Sequence, residues 1–267
     1  MIEARYVEAA GTLAFTELAG SGPVVLCLHT AGQSGVQWRR TTAALAAAGY
    51  RVVVPDLPGH GRSEPAANGP VRDLAEYARF CLDLLDRLGL ADPLVVGCSI
   101  GGKIALQIAA LSGDVRGVVA MAAEAGRGRV KVSGLERELE DIAAPSRTDR
   151  THLGTLAVVG SGVDPARAEL IATMHRREDP AVSNSDLIGW GTHDVRAELG
   201  SIRCPVHLVA GEDDLWIKPD AVRAAAGELP DGRFTLLPGV GHYPMEELPD
   251  FARTLTGWLA ELAEVRA

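Results

Sequence analysis

The stretch LVVGCSIGG, residues 94–102, contains the feature that decides the fold. An apolar run leads into GCSIG at 97–101, and a second apolar segment with helical spacing follows. A strand, a sharp turn and a helix in this order form the context in which a G-x-S-x-G motif presents a serine hydroxyl. Glycines two residues before and after the serine remove side chains that would collide in so tight a turn. The stretch therefore predicts a nucleophilic Ser99 near a helix N-terminus, where developing negative charge is favoured.

Short apolar runs alternate with amphipathic segments along most of the chain. Runs without polar alternation are typical of strands that are buried on both faces. Their alternation with helices predicts a parallel sheet covered by helices. We expect helices at residues 36–48 and 73–88. The predicted strands, which follow a hairpin at residues 5–18, lie within residues 23–29, 51–56, 94–97, 115–123, 205–211 and 233–239.

The segment between residues 124 and 200 has a different character. It is richer in charged residues than the flanking parts, and it contains no strong strand pattern. The economical interpretation is a core formed by residues 1–124 and 200–267, interrupted by a helical insertion at 125–199. We expect this insertion, here called the cap, to form a lid over Ser99.

A serine hydroxyl is a poor nucleophile unless a base takes its proton. His242 follows the last predicted strand in the loop LPGVGHYP, whose glycines allow the chain to bend. This places it at the carboxyl edge of the sheet, where sites in α/β folds collect. The loop after the preceding strand contains three acids at 212–214, one of which can orient the base. We favour Asp214 over Asp213.

Five motifs occur in the order LHTAG (28–32), DLPGHGRS (56–63), GCSIGG (97–102), GEDD (211–214) and GHYPMEE (241–247). With these motifs the sequence resembles the α/β-hydrolase superfamily, in particular capped serine-hydrolase and esterase-like members. The resemblance implies an α/β-hydrolase fold: a mostly parallel central sheet flanked by helices, with a helical cap inserted after the sixth strand.

The resemblance also implies roles for individual residues. The acid of the family matches the fourth position of GEDD, Asp214, although some members place it where Glu124 stands. The oxyanion hole of the family corresponds to the backbone N–H groups of Ala31 and Ile100.

Four further residues are candidates for substrate contact. Thr30 stands where the family usually has glycine, so it can narrow the oxyanion hole or contribute a hydroxyl. Trp190 and His193 precede the return to the core and are expected to line the pocket. Tyr243 directly follows the candidate base.

The implied reaction is attack of Ser99 on a carbonyl carbon, followed by hydrolysis of an acyl-enzyme. We expect the substrate to be a carboxylic ester, lactone or thioester of a small molecule, with no metal or organic cofactor. The same residues also support carbon–carbon bond hydrolysis or cofactor-free perhydrolysis. Relatives that break carbon–carbon bonds usually have an aromatic residue after the histidine, commonly tryptophan, where this chain has Tyr243. A non-catalytic, ligand-binding member of the fold is a further alternative.

Composition limits the classes of partner. The net charge of −9, from 35 acids and 26 bases, argues against a nucleic-acid partner and gives no reason to expect binding to an anionic membrane. The N-terminal sequence does not resemble a signal peptide, and no apolar run reaches the roughly 18 residues of a membrane span. We therefore expect a cytoplasmic protein, and the sequence leaves a homodimer open. The four cysteines form no CxxC pair and are expected to be buried thiols.

Overall fold

The computed structural model describes residues 1–140 and 147–264 of the chain. They form one eight-stranded sheet with the order β1-β2-β4-β3-β5-β6-β7-β8. The hairpin β1–β2 and the pair β2–β4 are antiparallel, and all other neighbours are parallel. The expected sheet, mostly parallel and flanked by helices, is confirmed. The strands are β1 (Ile2–Ala9), β2 (Thr12–Ala19), β3 (Val24–Leu28), β4 (Arg51–Pro55), β5 (Leu94–Cys98), β6 (Gly117–Met121), β7 (Val206–Gly211) and β8 (Gly232–Leu237).

The helices lie mainly in the connections between the strands. The described helices are α1 (Thr42–Ala47), α2 (Leu74–Arg87), α3 (Ile100–Leu111), α4 (Val132–Glu140), α5 (Arg147–Val158), α6 (Pro165–His175), α7 (Pro180–Thr192), α8 (Pro219–Glu228), α9 (Pro244–Glu247) and α10 (Phe251–Glu264), with 3-10 helices at Gly35–Trp38 and Arg196–Ser201. None of these helices combines the length and the apolar character needed to span a bilayer. All four cysteines are buried thiols.

One predicted helix is wrong as a single element. Residues 36–48 divide into the 3-10 helix Gly35–Trp38 and the short helix α1. The 3-10 helix places the fully buried Trp38 in the core and Gln37 within hydrogen-bond distance of Thr30. The physical reason is tertiary: the 3-10 helix packs against β3, β4 and α9, and such packing overrides a local helical preference.

The central strands explain where a site can form. Every residue of β3, β5, β6 and β7 is buried, in agreement with sequences that are apolar apart from His207 in β7. Because the strands from β3 to β8 are parallel, their carboxyl ends meet at one edge of the sheet. The candidate residues that follow these ends are Thr30, Ala31, Ser99, Glu124, Asp214 and His242.

The connection between β6 and β7 is helical in the part that the structure describes. It contains α4 to α7 and the second 3-10 helix, and α7 packs against α2 and α3 of the core. The cap boundaries at 125 and 199 stay a prediction. Residues 141–146 of the predicted cap and residues 265–267 of the predicted core lie outside the described residues.

Candidate active site

Ser99 occupies the sharp turn between β5 and α3. Its φ of 58° and ψ of −118° are unusual for a residue with a side chain. Strain of this kind persists where the surroundings enforce it, and it is concentrated at functional sites. A Cβ at Gly97 would collide with the carbonyl oxygen of Gly101, and a Cβ at Gly101 would lie 2.7 Å from the carbonyl oxygen of His29. The flanking glycines are therefore required by the close approach of the backbone.

The turn is fixed by backbone hydrogen bonds on both sides of the serine. The N–H of Ser99 donates to Met121 O of β6 at 2.9 Å. Its carbonyl oxygen accepts from the N–H groups of Gly102 at 3.0 Å and Lys103 at 3.1 Å, which begins α3. Ser99 is 8% exposed and lines a cavity of about 650 Å³. The predicted site residues that line the same cavity are Thr30, Ala31, Glu124, Trp190, His242 and Tyr243.

His242 and Asp214 are joined by a short buried hydrogen bond. Nδ1 of His242 lies 2.7 Å from Oδ2 of Asp214, and both side chains are almost fully buried. The other carboxylate oxygen of Asp214 accepts from the N–H groups of Trp216 at 2.8 Å and Ile217 at 3.1 Å. These bonds hold the carboxylate with one oxygen directed at the imidazole. The Trp216 ring packs edge-on against His242, with ring centroids 4.9 Å apart.

The other candidate acids have different surroundings. Oδ2 of Asp213 accepts from the N–H of Ser161 at 2.7 Å and from its hydroxyl at 2.6 Å, on the surface of the protein. Glu124 lies on the cavity wall and forms no hydrogen bond with the imidazole. Of the three candidates, the structure brings only Asp214 into hydrogen-bonding contact with His242 among the described residues.

The loop after β3 carries Ala31, whose backbone N–H is the expected donor to the oxyanion. The N–H of Thr30 donates to Oε1 of Gln37 at 2.9 Å, and the Thr30 hydroxyl donates to the same oxygen at 3.2 Å. The Thr30 amide is therefore engaged, and the half-buried Ala31 lies next to it on the cavity wall. Ile100 begins α3, and the first N–H groups of a helix have no acceptor within it.

His193 does not line this cavity. Helix α7 ends at Thr192, and the chain then turns so that His193 faces a second, smaller pocket beside Asp73 and Gln107. Burial, reinforced by the positive charge of Lys103, lowers the pKa of His193 to about 4. The structure thus places Trp190 on the wall near Ser99 and His193 outside it.

Glu247 was missed by sequence reasoning, although it lies within the motif GHYPMEE. Its carboxylate accepts from the N–H groups of Gly241 at 2.6 Å, Tyr243 at 2.9 Å and Gly160 at 3.0 Å. Burial raises the pKa of Glu247, and these N–H groups oppose the shift. Because two of the three amides flank His242, Glu247 holds the loop that carries the imidazole.

Two buried histidine–carboxylate pairs join the cap to the core, and sequence reasoning assigned no role to either. Nε2 of His60 lies 2.8 Å from Oδ2 of Asp186 on α7. Asp186 also accepts from the hydroxyl of Tyr77 and the N–H of Gly32, both at 2.8 Å. In this first pair the histidine belongs to the core and the carboxylate to the cap.

In the second pair the histidine belongs to the cap. His175 on α6 lies 3.0 Å from Glu246 of the core, and Arg39 donates to the same carboxylate at 2.8 Å. Burial raises the pKa of Glu246, but His175 and Arg39 outweigh burial and leave it below its usual value. The cap therefore meets the core through histidine–carboxylate contacts that are removed from solvent.

The His60–Asp186 pair predicts a pH dependence of stability. Burial lowers the pKa of His60, but the Asp186 carboxylate outweighs it, so the pKa stands above the usual 6.5. A raised histidine pKa stabilises the fold below the unfolded-state value and ceases to do so as pH rises through the folded-state value. We expect the stability advantage of the wild type over His60→Gln to be larger at about pH 6 than at pH values well above the ordinary histidine pKa of 6.5. Urea unfolding of both proteins at these pH values measures the difference.

A matched control for this prediction is His207→Gln. His207 is also buried, but burial lowers its pKa. Its stability difference from wild type is therefore expected to change with pH in the opposite sense. An advantage over His60→Gln that stays constant from acid to alkaline pH would contradict a charged pair.

Known proteins resemble the chain over nearly its whole length. It is 26% identical over 251 residues to 2-hydroxy-6-oxo-6-phenylhexa-2,4-dienoate hydrolase of Burkholderia cepacia, covering 89% of this chain and 87% of the relative. It is 32% identical over 254 residues to pimeloyl-[acyl-carrier protein] methyl ester esterase of Nitrosomonas europaea, covering 88% and 94%. A thermophilic esterase from Thermogutta terrifontis shares the fold with a TM-score of 0.85 at 22% identity, covering 98% and 99%. The model of the alpha/beta hydrolase family matches residues 25–253, and the chain therefore belongs to that family.

Proposed function

We propose that the protein is a serine hydrolase that cleaves a carboxylic ester, lactone or thioester of a small molecule through an acyl-enzyme on Ser99. The observation that carries the proposal is the 2.7 Å hydrogen bond between Asp214 and His242, on the wall of the cavity that Ser99 lines. The strained turn at Ser99 supports it, because such geometry is maintained where a nucleophile must be presented.

The reaction follows from the roles of these groups. The Ser99 hydroxyl attacks the carbonyl carbon while Nε2 of His242 takes its proton. Asp214 keeps the proton of the imidazole on Nδ1 and stabilises the imidazolium. The N–H groups of Ala31 and Ile100 donate to the oxyanion, and each such donor typically lowers the barrier by about 3 kcal/mol.

The acyl-enzyme is then resolved by water. His242 gives its proton to the leaving group as the bond to the carbonyl carbon breaks. It next takes a proton from the water that attacks the acyl carbon, and it returns this proton to Ser99 Oγ as the bond between Oγ and the acyl carbon breaks and the acid leaves. No net proton is gained or lost by the side chains over the cycle.

A fluorophosphonate probe tests this proposal directly. We expect the wild type to gain one covalent adduct, located on Ser99 by peptide mass spectrometry, because only an activated serine attacks the probe. Ser99→Ala should form no adduct. Ser183→Ala is a matched control, since Ser183 lines the same cavity but its hydroxyl donates to Glu178 at 2.5 Å. A wild-type protein that stays unmodified would overturn the proposal.

A carbon–carbon bond hydrolase is the second candidate. The similarity to the Burkholderia cepacia hydrolase favours it, as does the aromatic Tyr243 directly after His242 on the cavity wall. Esters and β-diketones compared on the purified protein separate the two. A kcat/KM that is higher for the diketones would assign carbon–carbon cleavage.

A further inference from the structure

Glu124 is a carboxylate in the cavity to which the proposed reaction gives no role. It follows β6, is half-buried and lines the cavity together with Ser99. Its side chain has no hydrogen bond or ion pair with any residue in the ranges 1–140 and 147–264. A carboxylate that is partly withdrawn from water gains from a hydrogen-bond partner, and in a cavity a ligand can supply that partner.

The other acids on the cavity wall are satisfied by the protein itself. Glu138 accepts from Arg150 at 2.7 Å. Glu178 accepts from the hydroxyls of Thr151 at 2.8 Å and Ser183 at 2.5 Å. Glu124 differs from both because its carboxylate faces the cavity without such a donor.

The cations near Glu124 act on it only through space. Lys103 is fully buried on α3, and its ammonium donates to the carbonyl oxygens of Gly126 and Trp190. Burial raises the pKa of Glu124, and the charges of Lys103 and Arg129 oppose that shift. Together with Arg196 these cations offset only part of the cost of burial, and the Glu124 oxygens have no donor within hydrogen-bond distance among the described residues.

We propose that Glu124 recognises the substrate by accepting a hydrogen bond from a neutral donor, a hydroxyl or an amide N–H. This inference rests on the proposed function, because it places the donor on the ester whose carbonyl Ser99 attacks. A neutral donor fits better than an ammonium group, since a further cation beside Lys103, Arg129 and Arg196 would be repelled. Glu124 then determines which substrates are selected, and Asp214 orients the base.

The test compares matched esters that differ by one hydroxyl. One series carries the hydroxyl in the acyl chain of a p-nitrophenyl ester, and a second carries it in an aliphatic alcohol. For at least one series we expect the wild type to prefer the hydroxylated ester by about ten-fold or more in kcat/KM, as for a hydrogen bond to a charged group. Glu124→Leu should bring the ratio near one. Glu124→Gln keeps an acceptor oxygen without the charge and should give an intermediate ratio.

Glu138→Gln is the matched control, because it removes the charge of another wall carboxylate that already has a partner. Its ratio should equal that of the wild type. A wild type without preference, a ratio unchanged in both Glu124 variants, or a stronger preference for an ammonium-bearing ester would overturn the inference. Fluorophosphonate labelling of the wild type separates the two proposals. If Ser99 is labelled and the ratio does not respond to Glu124, the inference fails while the hydrolase proposal stands.

Discussion

Replacing His242 with alanine is expected to lower kcat for p-nitrophenyl acetate by about 10⁶-fold, as is replacing Ser99. The two residues act as a unit, because the hydroxyl attacks only when the imidazole takes its proton. The double variant should therefore be no slower than either single variant. Stopped assays at high enzyme concentration measure all three rates.

His152→Ala is a suitable control for the histidine variant. His152 pairs with Glu169 at 3.4 Å and does not line the cavity, so its loss should leave the rate close to that of the wild type. Circular dichroism on each variant establishes that the fold is kept. A double variant that loses another large factor would show that the two side chains contribute independently, which contradicts the proposed mechanism.

Asp214→Asn is expected to reduce kcat by about 10⁴-fold while the fold is kept. The carboxylate accepts the proton on Nδ1 of His242, whereas an asparagine amide directed at Nδ1 favours the wrong tautomer. Asp213→Asn should stay close to wild type, because Asp213 bonds Ser161 on the surface. The comparison is well matched, since it makes the same chemical change at adjacent positions.

The same assay distinguishes the alternative acid. The kcat of Glu124→Gln is measured beside those of Asp214→Asn and Asp213→Asn, with an ester that carries no hydroxyl. A loss in this variant larger than that in Asp214→Asn would transfer the orienting role to Glu124. An equal loss at positions 213 and 214 would instead indicate a general effect on the loop after β7.

The strands and the turn at Ser99 were predictable because their causes are local. Strands buried on both faces need largely apolar runs, and the chain contains one for each of β3 to β7. The glycines at 97 and 101 are needed wherever backbone segments approach as closely as they do beside Ser99. Asp214 was favoured over Asp213 from its place in GEDD, and the structure puts it beside His242.

The contacts of the cap could not be predicted in this way. Asp186 lies 126 positions from His60 along the chain, and no periodicity or motif connects them. His193 was expected on the cavity wall with Trp190. However, α7 ends between the two residues, and His193 therefore faces the second pocket. The roles of buried acids such as Glu247 depend on which backbone amides fold against them, and this is set by tertiary structure.

The two histidine–carboxylate pairs between cap and core limit how substrate specificity can be exchanged between relatives by grafting caps. A cap without these residues would leave His60 enclosed without Asp186, and a buried polar group that loses its hydrogen-bond partner costs roughly 1–3 kcal/mol. Glu246 would lose His175 but would keep its ion pair with Arg39. A chimera that carries a grafted cap therefore needs Asp186 and His175 to be restored in that cap.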